Sequence, residues 1–193
     1  MKIEIKQYTK DYLDILYLAG RGCYGLEELT NESFNNKRDF IKNIIDNGHE
    51  SVLEHGIISI LVHGCSRSFM SQITRHRLVS FSVKSQHYVN HSDFYAKKLE
   101  TNKTSILLDY EELMIIINSY YKDFVKQGLP IHVAREILPN CCLTNIFMTA
   151  NFREWRYIIQ LRQTFSNTIE MRQFALKIKD LFNKFIPEVF EDL

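Results

Sequence analysis

Residues 75–88 read RHRLVSFSVKSQHY, and three adjacent side chains at the start of this stretch can carry positive charge. They are Arg75, His76 and Arg77, and Ser85 follows them after seven further residues. A cationic side chain that is even partly buried needs an anionic or hydrogen-bonding partner. An isolated basic triplet is most often a solvated turn, because charged residues are mostly exposed. The role of the triplet therefore depends on the sequence around it.

The sequence before the triplet predicts strands and helices in alternation. Thr9 and Ser66 are typical helix N-caps, and Gly48 is typical of a residue that ends a helix. From the N-terminus, the predicted elements are a strand over 2–7, a helix over about 11–19, a helix through 40–45 that ends at Gly48, a buried strand over 56–63, and a helix from 66 to the triplet.

The sequence after the triplet predicts longer helices. The predicted elements are an extended piece over 79–83, a helix over about 105–127 that ends at Gly128, a short helix over 131–138 closed by Pro139, a segment over 141–149 that fits a strand or the start of a helix, and two final helices. Each final helix begins with an Asn three residues before a Glu, a variant of the capping box: Asn151 with Glu154, and Asn167 with Glu170. Strands followed by long helices predict an α+β fold with a mixed sheet and several long helices.

The composition is typical of one ordered domain spanning residues 1–193. A chain of this length buries roughly 70% of its unfolded surface without the help of disulfides. Its 24 basic and 23 acidic residues leave a net charge of +1, which excludes the chain-wide basic excess that drives nonspecific nucleic-acid binding. No apolar run approaches the ~20 residues of a membrane span, and no signal-peptide pattern is present, so we expect a cytoplasmic protein. The four cysteines form no CxxC pair, and we expect reduced thiols.

Two further motifs fit their usual chemistry poorly. Residues 20–25 read GRGCYG and match the GxGxxG of dinucleotide-binding folds, but they follow a helix pattern where that motif needs a preceding strand. His49, His55 and His63 lie around two glutamates, yet their spacing differs from HExxH, which puts two zinc ligands on one helix face. We therefore predict neither a Rossmann site nor a metal site.

Polar residues gather in four short clusters, and the order of these clusters along the chain is as informative as their content. The clusters are GHESVLEH (48–55), SQITRHR (71–77), AREILP (134–139) and NFREWRYIIQLR (151–162). Together they resemble the flavin-dependent thymidylate synthase family, also called ThyX, whose diagnostic pattern is RHR, seven residues and then Ser. The stretch from Arg75 to Ser85 fits that pattern without a gap, and the resemblance covers nearly the whole chain from about residue 15.

The resemblance implies a ThyX-like α+β domain and a flavin enzyme. In this family, a homotetramer holds FAD beside dUMP in active sites between subunits. NADPH reduces the flavin, methylenetetrahydrofolate donates the one-carbon unit, and C5 of the uracil gains a methyl group. No cysteine attacks the pyrimidine, since hydride transfer from reduced flavin takes that place. The expected partners are thus dUMP, the folate and NADPH, with no nucleic acid and no membrane.

The resemblance also assigns ligand contacts to individual residues. The implied FAD contacts are His49, Ser51, Arg75, His76, Arg77, Asn151, Arg153 and Tyr157. The implied dUMP contacts are Gln72, Arg75, Ser85, Gln86, His87, Arg135 and Arg162. Five of these residues are arginines, whose planar guanidinium matches phosphate geometry and would take the place of a glycine-rich phosphate loop.

Two of these residues are implied in the chemistry. The family counterpart of Arg162 lies at the pyrimidine, where a fixed cation would stabilise negative charge that develops on the ring oxygens. Ser85 is expected to hydrogen-bond and orient the substrate, because hydride transfer from a flavin needs no serine nucleophile. Three other residues would also suit purely structural roles. Arg135 and Arg153 would equally suit ion pairs with the glutamates that follow them, and Asn151 would suit a simple helix cap.

Three sites depart from the family pattern. His87 stands where most relatives have arginine, Ser82-Val83 where they often have Asn-Glu, and Tyr157 where His or Asn is more usual. Because a histidine carries charge only in acid to neutral solution, the substitution at His87 predicts a dUMP affinity that weakens as pH rises. Two alternative functions remain: a pyrimidine nucleotide C5-methyltransferase acting on UMP, and a flavin- or nucleotide-binding homologue without catalysis.

Overall fold

Four strands form one sheet in the computed structural model, which describes residues 1–22, 34–92 and 94–193. The strands are β1 (Lys2–Tyr8), β2 (Ile57–Ser66), β3 (Ser80–Val83) and β4 (Leu143–Asn151). Their order in the sheet is β1-β2-β4-β3, so the two longest strands are central. This sheet, combined with helices, confirms the α+β class.

The sheet is antiparallel, where a mixed sheet was expected. Ser59 Oγ of β2 lies 2.8 Å from Thr149 Oγ1 of β4, and further along β2 the Gly64 N–H donates to Asn145 Oδ1 at 3.1 Å. Residue numbers therefore rise along one strand as they fall along the other. The sequence pattern of a strand reports its burial but not the direction of its neighbour, and for that reason the expectation was wrong.

Besides two short 3-10 helices, Glu50–His55 and Arg135–Ile137, the described ranges contain eight α-helices. They are α1 (Tyr12–Gly22), α2 (Phe34–Asp46), α3 (Arg67–Ile73), α4 (Thr104–Lys126), α5 (Ile131–Ala134), α6 (Phe152–Arg162), α7 (Ile169–Phe185) and α8 (Pro187–Phe190). None of the helices in these ranges combines the length and the apolar composition that crossing a bilayer requires. The residues group into two compact units. The first unit comprises Met1–Lys2, Val62–Arg75 and Ser82–Ile146, and the second comprises Ile3–Leu61, His76–Phe81 and Phe147–Leu193.

The core of the second unit forms around α6. Trp155 is fully buried, and its ring meets that of Phe182 edge-on with 5.3 Å between centroids. The indole Nε1 donates to Ile58 O at 3.1 Å, which satisfies the one polar atom of this side chain. At the start of the helix, Phe152 packs edge-on against Phe190. These aromatic contacts fix α6, the helix that carries much of the candidate site.

The start of α6 packs against Gly56, which precedes β2. The Phe152 N–H donates to Gly56 O at 2.9 Å. A β-carbon at position 56 would overlap the Cδ2 and Cε2 atoms of the Phe152 ring, which is fully buried. Because a close-packed core has no space into which this ring can move, the missing side chain at Gly56 sets where α6 begins.

In the first unit, α4 exposes several of its apolar side chains. Tyr121 is the buried residue of this helix, and its hydroxyl accepts a hydrogen bond from His91 N at 3.1 Å. Leu108, Leu113 and Ile115 are 61%, 50% and 71% exposed. Apolar side chains with this exposure would be suited to burial against another protein surface.

Several element boundaries follow the sequence signals. Gly48 and Gly128 lie just beyond α2 and α4 with φ of 71° and 90°, which confirms them as left-handed residues after a helix. The Ser66 hydroxyl accepts from Phe69 N at 2.9 Å and caps α3 as expected. The segment 141–149 resolves into strand β4, in which alternate residues are buried.

Three other expectations are wrong. Thr9 does not cap α1, because its hydroxyl accepts from the first backbone N–H of β2 instead. The helix expected over 131–138 is a pair of single turns, α5 and a 3-10 turn. The N-cap of α7 is Thr168 rather than Asn167. Adjacent Asn and Thr residues have similar capping preference, so tertiary partners decide which of the two caps the helix.

Candidate active site

His76 lies at the centre of a buried polar cluster in the second unit. Its Nδ1 is 3.0 Å from Glu154 Oε1, and its Nε2 accepts from Arg162 Nε at 3.0 Å. His76 and Glu154 are 4% and 7% exposed, and Arg162 is half-buried. The first and last turns of α6 supply the two partners of the histidine.

The hydrogen bonds of His76 determine which ring nitrogen carries the proton. A neutral imidazole has one N–H. Because Nε2 accepts from Arg162, the proton is assigned to Nδ1, which donates to Glu154. Burial, followed by the nearby Arg162 guanidinium, lowers the pKa of His76 to about 4. At neutral pH the histidine is therefore uncharged, and Arg162 carries the positive charge of the cluster.

Asn151 starts α6 and confirms the predicted N-cap. Its Oδ1 accepts from Glu154 N at 2.8 Å. In a capping box the glutamate side chain turns back toward the N-cap, whereas Glu154 turns its carboxyl group toward His76. Burial raises the pKa of Glu154, and a carboxyl oxygen accepts a hydrogen bond in either protonation state.

Arg162 has a second acceptor that sequence reasoning missed. Its Nη1 donates to Asn167 Oδ1 at 3.3 Å, and Asn167 Nδ2 donates to Leu161 O at 2.9 Å. Asn167 thus connects the end of α6 to the turn that follows it. The residue type suggested a helix cap, and no spacing rule relates an Asn in a turn to an Arg in the preceding helix.

The exposed side of α6 carries Arg153 and Tyr157. Arg153 Nη1 donates to Glu54 Oε1 at 2.6 Å, so its ion-pair partner is not the Glu154 that the sequence suggested. Both members of this pair are about half exposed, and ion pairs of this kind contribute little to stability. Tyr157 is 53% exposed, and its ring meets His76 edge-on with 5.7 Å between centroids. Arg77 is also exposed.

A cavity of about 320 Å³ lies in the second unit beside α2. Its lining residues are Gly20, Phe40, Asn43, Ile44, Asn47, His49, Ser51 and Val52. His49 and Ser51, both expected at the flavin, therefore face one cavity. Its volume lies at the lower end of the roughly 300–1,000 Å³ of small-molecule sites.

In the first unit, Ser85 organises a tight turn. Its hydroxyl accepts from the backbone N–H groups of His87 at 3.0 Å and Tyr88 at 3.3 Å. A serine hydroxyl that accepts these bonds can still donate its proton to a ligand. This arrangement suits the orienting role expected for Ser85.

The His87 ring stacks on a second histidine, His132 of α5. The ring centroids are 5.0 Å apart and the planes are inclined by 25°. Arg135 Nε donates to His132 O at 3.1 Å, so this arginine caps its own turn rather than pairing with Glu136. His87, His132 and Arg135 thus form one basic group. Sequence reasoning missed His132, because no local pattern connects it to His87.

Gln86 and Arg67 lie near Cys142 in the same unit. Gln86 Nε2 is 4.0 Å from Cys142 Sγ, and Arg67 Nη1 donates to Lys84 O at 3.5 Å. Burial lowers the pKa of Arg67 and raises the pKa of the Cys142 thiol. Arg67 was also missed from the sequence, where it reads as an ordinary first residue of α3.

The residues expected at the site fall into two groups, one in each unit. The second unit holds His49, Ser51, His76, Arg77, Asn151, Arg153, Tyr157 and Arg162. The first unit holds Gln72, Arg75, Ser85, Gln86, His87 and Arg135. The expected FAD contacts thus share the second unit, apart from Arg75, and the expected dUMP contacts share the first, apart from Arg162.

Two motifs were set aside on sequence grounds, the histidines around 49–63 and the glycine motif at 20–25. Across 1–22, 34–92 and 94–193, no group of three or more His, Cys, Asp or Glu side chains could hold a metal ion. Part of the glycine motif at 20–25 lies outside the described residues.

Solved structures with the same fold are flavin enzymes. The flavin-dependent thymidylate synthase ThyX from Helicobacter pylori, complexed with FAD and dUMP, has a TM-score of 0.82 and 22% identity, and the match covers 100% of this chain and 99% of that chain. A second crystal structure of ThyX from the same organism, with FAD and dUMP, has a TM-score of 0.83 at 21% identity and covers 100% and 98%. The chain therefore has the ThyX fold.

Sequence comparisons extend this result to the family. A family model described as thymidylate synthase complementing protein matches residues 4–188. The flavin-dependent thymidylate synthase of Geobacter sulfurreducens is 32% identical over 200 residues, which covers 100% of this chain and 86% of the relative. A probable flavin-dependent thymidylate synthase of Mycobacterium phage L5 is 30% identical over 195 residues and covers 93% and 80%. The chain belongs to the flavin-dependent thymidylate synthase family of enzymes.

Proposed function

We propose that this enzyme is an FAD-dependent thymidylate synthase that converts dUMP to dTMP by reductive methylation. Methylenetetrahydrofolate supplies the one-carbon unit and NADPH the reducing equivalents, without a cysteine nucleophile. The observation that carries the proposal is the hydrogen bond between His76 of the RHR motif and Arg162, within a chain that matches the family over 4–188. Two diagnostic motifs far apart in sequence thus meet at one polar cluster.

The second unit offers side chains that fit FAD. The cavity lined by His49 and Ser51 has both apolar and polar walls, as a flavin or adenine ring system requires. Exposed guanidinium groups, such as those of Arg77 and Arg153, suit its pyrophosphate. We propose that FAD is held by His49, Ser51, Arg75, His76, Arg77, Asn151, Arg153 and Tyr157. Bound and reduced, the flavin would supply the hydride of the reaction.

The first unit offers side chains that fit a nucleotide phosphate. The basic group of His87, His132 and Arg135 lies next to the Ser85 turn, whose hydroxyl can donate to an oxygen. A phosphate monoester carries close to two negative charges at neutral pH. We propose that dUMP is held by Gln72, Arg75, Ser85, Gln86, His87, Arg135 and Arg162.

Arg162 is proposed as the residue that stabilises charge on the pyrimidine. Because His76 is neutral, the Arg162 guanidinium is the positive charge that this cluster would offer to negative charge developing on the uracil oxygens. Two of the described cysteines are poorly placed to act as a thiol nucleophile. Cys65 and Cys142 are buried, and burial raises the pKa of Cys142.

The proposal includes assembly of one domain, residues 1–193, into a homotetramer with active sites between subunits. The exposed leucine and isoleucine side chains of α4 support self-association, because water-exposed apolar surface favours burial against another copy. We also propose a cytoplasmic location, since NADPH and folates are intracellular co-substrates.

The decisive experiment measures tritium release from C5-labelled dUMP, with NADPH, methylenetetrahydrofolate and FAD each omitted in turn. We expect release and dTMP formation that require all three. Greater turnover on UMP would support the alternative methyltransferase, and a yellow protein that releases no tritium would support a non-catalytic flavin-binding homologue. A protein that takes up no FAD would contradict the proposal.

A further inference from the structure

Glu154 lies in the first turn of α6, and its side chain is buried. Acidic side chains at helix N-termini are normally solvated, where they interact favourably with the helix dipole. Glu154 is instead 7% exposed, and its carboxyl group accepts from His76 Nδ1. Burial of a carboxyl group is costly unless hydrogen bonds compensate, so the bond to His76 accounts for its position.

We propose that Glu154 is a positioning residue for Arg162, which it holds through the tautomer of His76. This inference rests on the proposed function, in which Arg162 faces the pyrimidine. Glu154 touches neither substrate nor cofactor in this scheme. Its role is to accept the Nδ1 proton, so that Nε2 remains an acceptor for Arg162 Nε.

The consequence of losing Glu154 follows from the proton count of the imidazole. Without an acceptor at Nδ1, the neutral ring can carry its proton on Nε2 instead. The N–H of His76 would then point at the N–H of Arg162 across 3.0 Å, and two donors repel each other. The guanidinium would have to turn away, which would also stretch its 3.3 Å bond to Asn167.

Two substitutions of nearly equal volume separate the acceptor from mere packing. Glu154→Gln keeps an oxygen that can accept from Nδ1, whereas Glu154→Leu fills the same buried space without an acceptor. Glu170→Leu is the matched control, because Glu170 is also a buried carboxylate in the first turn of a helix, α7. Any general loss of stability or turnover caused by removing a buried carboxylate would appear in both leucine variants.

The direct readout is the tautomer of His76, measured by NMR on holoenzyme containing 15N-labelled histidine. The signal of His76 is the one lost in His76→Gln. We expect the proton on Nδ1 in the wild type, Glu154→Gln and Glu170→Leu, and on Nε2 or exchanging between both nitrogens in Glu154→Leu. A wild-type His76 with its proton on Nε2 would overturn the proposal without any variant.

The kinetic readout is kcat for thymidylate formation at saturating dUMP. We expect Glu154→Leu to lose about 10- to 100-fold, the range typical of residues that orient a functional side chain, while it retains FAD. Glu154→Gln is expected to stay within about threefold of the wild type, because its oxygen can replace the hydrogen bond. If Glu154→Gln and Glu154→Leu change the His76 tautomer and lower kcat to the same extent, Glu154 does not act as a hydrogen-bond acceptor. The same conclusion follows if both variants behave like the wild type.

The two readouts also separate this inference from the proposed function. If the wild type forms no thymidylate, the proposed function fails, and the tautomer alone then decides whether Glu154 sets the proton on His76. If thymidylate forms but the tautomer is unchanged in Glu154→Leu, the positioning role fails while the function stands.

Discussion

Arg162 combines a favourable place in its helix with two specific acceptors. A cation in the last turn of α6 interacts favourably with the helix dipole, which would hold any basic residue there in a general way. The bonds to His76 Nε2 and Asn167 Oδ1 add direction, because they fix the plane of the guanidinium. The orientation of Arg162 therefore depends on residues outside its own helix.

Replacement of Arg162 by alanine is expected to lower kcat by about 10²- to 10³-fold, the effect typical of losing one electrostatic contact to a transition state. FAD is expected to remain bound, because most of its proposed contacts are elsewhere. The measurement is single-turnover thymidylate formation together with flavin absorbance. Arg172→Ala is the matched control, since this arginine lies over the Phe165 ring at 4.4 Å and has no proposed part in catalysis. Normal turnover in Arg162→Ala would rule out its assignment.

The His87 ring, stacked on His132, lies in the proposed phosphate site of dUMP. A guanidinium can bind a phosphate through two parallel N–H donors, which an imidazole lacks. His87→Arg is therefore expected to lower the dissociation constant for dUMP about three- to tenfold. Calorimetric titration of both proteins tests this expectation.

The two proteins are compared at one pH, because the phosphate of dUMP itself ionises near pH 6. Equal dissociation constants for the wild type and His87→Arg would show that His87 does not contact the phosphate.

Among single residues, motif members could be identified from the sequence and their partners could not. The spacing of Arg75 and Ser85 identified a family pattern because both lie in one stretch. His132, Asn167 and Arg67 act through contacts that only the tertiary fold creates. A short sequence pattern carries no information about such contacts.

At the scale of elements, two helix caps of similar strength serve different purposes. Asn151 caps α6, at the candidate site, and Thr168 caps α7. Replacement of either residue by alanine is expected to reduce the free energy of unfolding by about 1 kcal/mol. Asn151→Ala is expected to weaken FAD binding as well, whereas Thr168→Ala is not. Urea unfolding and flavin titration measure the two effects, and equal flavin affinity in both variants would limit Asn151 to capping.

Helix and strand patterns predicted elements well where one local signal dominated. The glycines after α2 and α4 have no β-carbon that would disfavour positive φ, so both helix ends were predictable. Prediction failed at α5, since the turns from 131 to 137 are too short for a helical period. Strand direction in the sheet was also not predictable, because it depends on the connections between strands rather than on the strands themselves.

For the whole molecule, α4 provides the test of assembly. Ile115 is 71% exposed, and a charge there would be tolerated by an isolated subunit but not within an apolar interface. Ile115→Glu is therefore expected to shift the protein from the proposed tetramer to smaller species in sedimentation velocity. Glu111→Lys, an exposed charge change on the same helix, is the control. An unchanged sedimentation coefficient for Ile115→Glu would place the self-association surface elsewhere.

The contact between Gly56 and Phe152 also limits how this sequence can drift during evolution. Position 56 has no room for any β-carbon, so a library containing all twenty amino acids there would return glycine from a selection for thymidine prototrophy. The exception would be a paired change that shrinks the ring at position 152. Position 56 can therefore change only together with position 152, although neither residue touches a ligand in the proposed site.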